Sequence, residues 1–223
     1  MQIQTNTTHT ATLLYELQQL LIQIKTCNEL ADDTSQATVG RLSQHGLQLL
    51  HYALFAIESQ QTKLNFTSLS AGAAMHDVVE ELLPLAASYG ASIHFDASPN
   101  LDPIYANEMS LKGSVYALLS AMITSSTNGV APQITVAVQQ TKPSVQRVGV
   151  YSGTTPISLA MLRQTKQRTS RMDTTGLSHR SGLGFMISQL LAERLETAYA
   201  SFEHNQLPGI GFYVPESAQL QLL

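Results

Sequence analysis

The sequence predicts an α+β chain: an N-terminal antiparallel helical hairpin, then a mixed sheet with helices on one face. Three observations predict it. Apolar residues recur at helical spacing through roughly the first sixty positions. About five short apolar runs of alternating or β-branched character follow, interleaved with helical segments. Those strands mostly follow helices without a strand–helix–strand rhythm, which argues for a mixed rather than an all-parallel sheet.

Leu13, Leu17, Leu20, Ile24 and Cys27 recur at steps of four, three, four and three, a heptad seam that Leu14 and Leu21 widen. Ala31 to Ser35 breaks it, and Asp33, Thr34 and Ser35 are all good N-caps for a second helix. That helix carries Val39, Leu42, Leu47, Leu50, Leu54 and Ile57. Two such helices leave apolar surface over, so the hairpin is expected to complete a four-helix bundle with a second copy, with Leu13, Leu17, Leu20, Ile24, Leu50 and Leu54 in the dimer seam. The hairpin is assigned to 1–62 and the following domain to 63–223.

In that second domain Lys63 to Phe66 reads as a short strand, and Ala73 to Ser88 as a helix that Pro84 ends or kinks and Gly90 stops. Ala91 to Asp96 and Pro103 to Ala106 read as strands, Leu111 to Ser125 as a helix. Ile134, Val136 and Val138 alternate, as do Val148 and Val150, which predicts two more strands. Thr165 to Ser181 has almost no apolar pattern and reads as a long loop. Gly184 to Leu195 closes as a helix, and Ala198 to Phe202 and Gly211 to Val214 as strands.

Composition bounds the function. The 223 residues carry only 13 % charged side chains, about half the usual share, and 43 % apolar ones. Twenty glutamines fill the gap, and the low charge suggests surface covered by a partner. A net charge of −4 argues against a nucleic-acid binder. The single cysteine, Cys27, excludes an internal disulfide and a cysteine-built zinc site. No apolar run is long enough to span a membrane, and Met1 to Thr10 lacks the pattern of a signal peptide. The expectation is a soluble, cytoplasmic, dimer-prone protein with no metal ligands and no membrane or nucleic-acid partner.

Near the C-terminus, Ser181-Gly182-Leu183-Gly184-Phe185-Met186-Ile187 follows the polar loop and opens an amphipathic helix through Leu190, Leu191, Ala192 and Glu193. Glycine lets backbone approach a phosphate closely, and a helix N-terminus favours negative charge. Pro208-Gly209-Ile210-Gly211-Phe212 and Val214-Pro215 close the chain, while Leu64, Val78, Val79, Leu83, Pro84, Leu85 and Ala86 lie upstream. In these pieces, and in its layout from about Leu13 to Pro215, the chain resembles the catalytic core of bacterial sensor histidine kinases. That core is a dimerisation hairpin joined to a GHKL-type ATPase-like α/β sandwich. It is also similar to histidine phosphotransferases that carry a degenerate ATP-binding domain. The resemblance implies a two-component signalling protein, with Gly153, Gly182 and Gly184 as the remnant of a nucleotide site.

The departures fall on the residues of the chemistry. Tyr15-Glu16-Leu17-Gln18-Gln19-Leu20 stands where the family has its phospho-accepting histidine, so Tyr15 replaces it and Glu16, the would-be base, remains. A phenol with a pKa near 10 is a poor nucleophile at neutral pH. Ala117 and Ala121 stand where the resemblance places two asparagines, the second of which holds Mg²⁺. Alanine offers no oxygen to such a cation, and Asn107 and Glu108 sit at the far end of that helix. Tyr151 replaces the aspartate that accepts the adenine amino group, and is expected to fill the purine pocket. Gly153 survives, followed by Thr154-Thr155-Pro156 in place of a second glycine.

Arg163, Lys166, Arg168, Arg171 and Arg180 concentrate five of the 12 basic residues in the family's lid segment, with Asp173 the lone acid there. Arg168, Arg171 and Arg180 could grip an anion through their guanidinium forks, or dock an acidic partner surface. Seven histidines show no metal-ligand spacing. His45 and His51 are the candidates for relay phosphotransfer, and their six-residue separation turns them to different sides of one helix. The expectation is a pseudokinase or phosphotransferase-like regulator that dimerises and binds a response-regulator receiver domain or a histidine kinase, with no cofactor. The alternatives are an active ATP–Mg²⁺-binding kinase core with divergent motifs, and a histidine-based phosphorelay protein.

Overall fold

The computed structural model describes residues 17, 22–24, 26, 33–59, 62–125, 131–154 and 182–217. Tyr15, Glu16, Leu13, Leu20, Arg168, Arg171 and Arg180 lie outside them, as do Arg163, Lys166, His179 and most of the first expected helix. Leu17 and Ile24 are helical and half-buried.

Helix α1 (Asp33–Glu58) has two apolar stripes. Leu49, Tyr52, Ala53 and Ala56 are buried against the rest of the chain. Leu47 and Leu54, one heptad apart, stay 67 % and 47 % exposed, and Leu50 and Ile57 between and beyond them are half-buried. A short strand, β1 (Thr67–Leu69), follows. It replaces the strand expected at Lys63 to Phe66, because its partner β3 (Ile104–Ala106) pairs Thr67 with Ala106 and Leu69 with Ile104. The preceding residues form the linker from α1.

Helix α2 (Ala71–Ser88) is capped by Ser70, whose Oγ accepts from the Ala73 amide at 3.2 Å. It ends at Tyr89, and Gly90 takes φ +64°. Pro84 neither ends it nor stands at its margin. The proline is exposed, so water can serve the carbonyl it leaves free, while Leu82, Leu85 and Ala86 hold that turn in the core. Helix α3 (Glu108–Thr124) starts where Asn107 accepts from the Ser110 amide at 2.9 Å. The same side chain donates to the Asn65 carbonyl at 2.9 Å, which ties the linker to the start of α3. Strand β2 (Ser92–Ala97) lies between α2 and β3.

The main sheet runs β2–β4–β5–β7–β6, with β4 (Gln133–Lys142), β5 (Val145–Tyr151), β6 (Ala200–His204) and β7 (Leu207–Pro215). Only β2–β4 is parallel, so the sheet is mixed as expected. β6 starts two residues later than expected and runs past Phe202 to His204, and β7 extends the expected Gly211–Val214 at both ends, because a hairpin pairs His204 with Leu207. Helix α4 (Gly182–Arg194) joins α2 and α3 in the helical layer. Ile134, Val136, Val138, Val148, Val150, Ile210, Phe212 and Val214 face those helices in one core.

The other face of the sheet is not flat. β2 and β6 are its two edges, which a flat five-stranded sheet would hold about 19 Å apart. Yet His204 Nε2 of β6 lies 2.8 Å from Asp96 Oδ2 of β2. The sheet therefore curls over this face. Glycines on β7 allow the bend: a Cβ on Gly209 would come 2.3 Å from the Val150 carbonyl oxygen, and one on Gly211 2.4 Å from that of Val148. Inside the curl His204 Nδ1 meets Gln139 Nε2 at 2.8 Å, Gln139 accepts from Arg147, and Arg147 lies 4.8 Å over the Phe202 ring.

Candidate functional site

Helix α3 is buried all round from Leu111 to Ile123, Lys112 excepted. A helix that is apolar on every side must be packed on every side. Its two flanks carry the residues singled out from the sequence.

On one flank α4 approaches until backbone meets backbone. A Cβ on Gly184 would sit 2.5 Å from the Ala117 carbonyl oxygen and 2.9 Å from the Ala121 Cβ. Gly184, expected in the remnant of a nucleotide site, and the two alanines expected at asparagine positions are thus brought together. What they form is a tight helix–helix seam lined by methyl groups and backbone. Gly182 opens α4. The hydroxyls of α3 near this seam turn to their own helix: Ser114 donates to Leu111 O, Thr124 to Ser120 O and Ser125 to Met122 O, each at 2.9 Å. Among the described residues no group of three or more His, Cys, Asp or Glu could hold a metal ion.

The end of β5 supplies the second piece. Tyr151 is fully buried, but on the curled face and not toward the helices. This corrects the expectation that it fills a purine pocket. Val148 and Val150 point to the helical core, so the strand's alternation turns Tyr151 the other way. Its ring lies over Gly149, where a Cβ would come 2.3 Å from the phenol oxygen, and 5.1 Å from the His204 ring. Burial pushes the phenol pKa up, and among the described residues its oxygen has no hydrogen-bond partner. The turn after it is knitted to β4: Ser152 Oγ donates to Gln133 O at 2.7 Å, and Thr154 Oγ1 accepts from the Gln133 amide at 2.9 Å. Gly153 is exposed, and among the described residues a Cβ there would meet only Leu207 Cδ2, at 3.3 Å.

On the other flank of α3 lies a group that the sequence did not announce. His45 of α1 is buried between Tyr116 and Ser120, with Nδ1 3.0 Å from Tyr116 Oη and Nε2 2.8 Å from Ser120 Oγ. Both ring nitrogens are engaged, so His45 offers none to a phosphoryl group. Desolvation pushes its pKa down to about 4. Tyr52 packs 5.3 Å from the Tyr116 ring, over Gly113, where a Cβ would come 2.4 Å from Tyr52 Cδ1. His51 is exposed, on a different side of α1 from His45, as their spacing predicted. Only the separation of 71 and 75 residues between His45 and its two partners hid this cluster from a sequence reading.

No protein-family model and no curated protein matches the chain. Solved structures do match it. The histidine kinase AdeS of Acinetobacter baumannii aligns with a TM-score of 0.56 at 14 % identity, over 93 % of this chain and 97 % of that one. The catalytic domain of histidine kinase ThkA gives 0.53 at 16 % identity, over 69 % and 97 %. Full-length ShkA, in complex with AMPPNP, gives 0.56 at 17 % identity, over 84 % of this chain and 40 % of that one. The chain has the fold of a histidine-kinase catalytic core. No helix among the described residues is long and apolar enough to cross a membrane.

Two measurements check this geometry. Replacing Gly184 with alanine forces a methyl into the α3–α4 seam and is expected to cost about 1–3 kcal/mol in urea unfolding; unchanged stability would mean that the seam is looser than described. His45 makes stability fall with acid. The unfolded chain takes up a proton below pH 6.5 and the folded imidazole only near pH 4. Stability is therefore constant above pH 6.5 and drops between 6.5 and 4, by about 2 kcal/mol from pH 7 to pH 5. Tyr116 and Tyr52, held above the ordinary phenol range by burial, are silent there. Subtracting the same titration of a His45→Gln variant removes the contributions of carboxylates such as Glu81, and the difference should carry the full slope.

Proposed function

We propose that this chain is a kinase-like regulator of two-component signalling, a pseudo-histidine-kinase. In this reading it dimerises through its helical hairpin and binds a response-regulator receiver domain or a histidine kinase, and does not move phosphate from ATP. The observation that carries the reading is the contact of Gly184 with Ala117 and Ala121. Where the resembling kinases are expected to hold phosphates and Mg²⁺, this seam presents methyl groups and leaves no room for a Cβ. A hard cation needs oxygen ligands that these residues lack, and uncompensated phosphate charge blocks phosphoryl transfer. Tyr151, at the position of the adenine-binding aspartate, carries no carboxylate and turns away from the helices, which supports the same reading. The residues at these positions do not fit a magnesium–nucleotide complex.

Dimerisation rests on α1. Leu47, Leu50, Leu54 and Ile57 follow the three–four–three step of a bundle seam, and the two most exposed leucines of the described chain are in it. A second copy of the hairpin covers such a stripe; Leu47→Gln with Leu54→Gln is expected to shift the protein from dimer to monomer in sedimentation at micromolar concentration.

Calorimetry with ATP, with and without Mg²⁺, tests the loss of nucleotide chemistry. No saturating heat at millimolar ATP is expected. ShkA was solved with AMPPNP, and Mg²⁺-dependent saturation here would install an active kinase core in place of the regulator. Labelled phosphate passing from a receiver to the exposed His51, and lost in His51→Gln, would make the protein a relay.

A further inference from the structure

The α1–α3 contact is unlike the rest of the core. Most of that core is aliphatic, but here it is polar and aromatic: His45, Tyr52, Tyr116 and Ser120, closed over Gly113. Among the described residues α1 meets the sandwich along one side, through Leu49, Tyr52, Ala53 and Ala56, and Leu47 and Leu54 lie off that side. The linker beyond it is tied by two hydrogen bonds, from Arg194 to Thr62 O at 2.8 Å and from Asn107 to Asn65 O, and by Phe66, whose ring lies 5.7 Å from that of Tyr105. Aliphatic contacts tolerate sliding. A ring bonded through both nitrogens to two hydroxyls one turn apart on α3 fixes α1 in rotation and in register.

We propose that His45 is a latch that locks the dimerisation helix onto the α/β sandwich, so that hairpin and sandwich move as one body until the latch is opened. This rests on the reading of α1 as a dimerisation helix and adds its regulation. With the latch closed, the leucine stripe and the surface of the sandwich hold one relative orientation. A partner that needs the hairpin apart from the sandwich must break the bonds of His45 and leave Tyr116 and Ser120 without partners in the core, a cost that only a specific contact offsets. Tyr116 and Ser120 lie beside Ala117 and Ala121 on the same turns of α3, so a disturbance of the α4 seam reaches the latch through one rigid helix.

Hydrogen exchange on the full-length chain tests this, with peptides from α1 (residues 42–57) read against peptides from β4 and β5 (133–150). The variants are His45→Leu and the double variant Tyr116→Phe with Ser120→Ala, which keeps volume and removes only the hydroxyls. Both are expected to lower protection of α1 at least tenfold and to leave β4 and β5 within twofold of the wild type. Unchanged α1 protection in the double variant overturns the latch. Equal loss in α1 and in the strands also overturns it, since His45 would then be one more residue of a single cooperative core. ATP binding in these variants does not enter the readout, so failure of the latch leaves the regulator reading standing or falling on its own test.

Discussion

The fold hangs on how closely other elements can approach α3. A helix buried on all sides has no face left for bulky groups where two neighbours also need contact, so the chain spends small residues there. Gly113 lets Tyr52 of α1 lie on the α3 backbone. Gly184 brings α4 to the Ala117 carbonyl. Close backbone approach multiplies dispersion contacts that are individually worth about 0.1–0.2 kcal/mol, and it excludes water from the flanking polar groups. His45, Tyr116 and Ser120 can be satisfied inside the core only because this exclusion makes their mutual bonds the sole ones on offer.

The sheet shows the same economy in a second place. Glycine weakens a strand, and three of them, Gly149, Gly209 and Gly211, sit side by side in β5 and β7. Tyr151 compensates by lying flat across that bare patch, and the curl that the glycines permit brings β6 over it. The edges of the sheet then meet through Asp96 and His204. A strand edge bonded across a curl is a poor template for another chain, which on the proposed reading leaves association to the exposed leucines of α1.

Much of this was legible in the sequence. The apolar spacing from Val39 to Ile57 announced α1, Gly90 announced the end of α2, and the alternation of Ile134, Val136 and Val138 announced β4. Periodicity even contains the placement of Tyr151: if Val148 and Val150 face the core, position 151 cannot, and only the resemblance to a nucleotide site suggested otherwise. The error at Lys63 to Phe66 has a different origin. Strand propensity there is as good as at Thr67 to Leu69, and the choice is made by β3, some forty residues away. His45 is the clearest limit. Nothing local separates a histidine on an amphipathic helix that bonds two hydroxyls in the core from one that faces water, because its partners come from another helix.

On the proposed reading, Gly184 shows how a glycine of a nucleotide-binding motif can outlast that motif's chemistry. A glycine kept for phosphate could be replaced cheaply once phosphate no longer binds. Here a single methyl would strike the carbonyl of Ala117, so packing alone forbids the replacement. The converse holds for the alanines. Enlarging Ala121 to asparagine would restore an oxygen and at the same time push α4 away from α3. On the proposed reading the two features stabilise each other: loss of the asparagine permits the close seam, and the close seam prevents its return. On that reading the motif looks half-preserved in the sequence because Gly184 is held by packing against α3 whether or not a nucleotide binds.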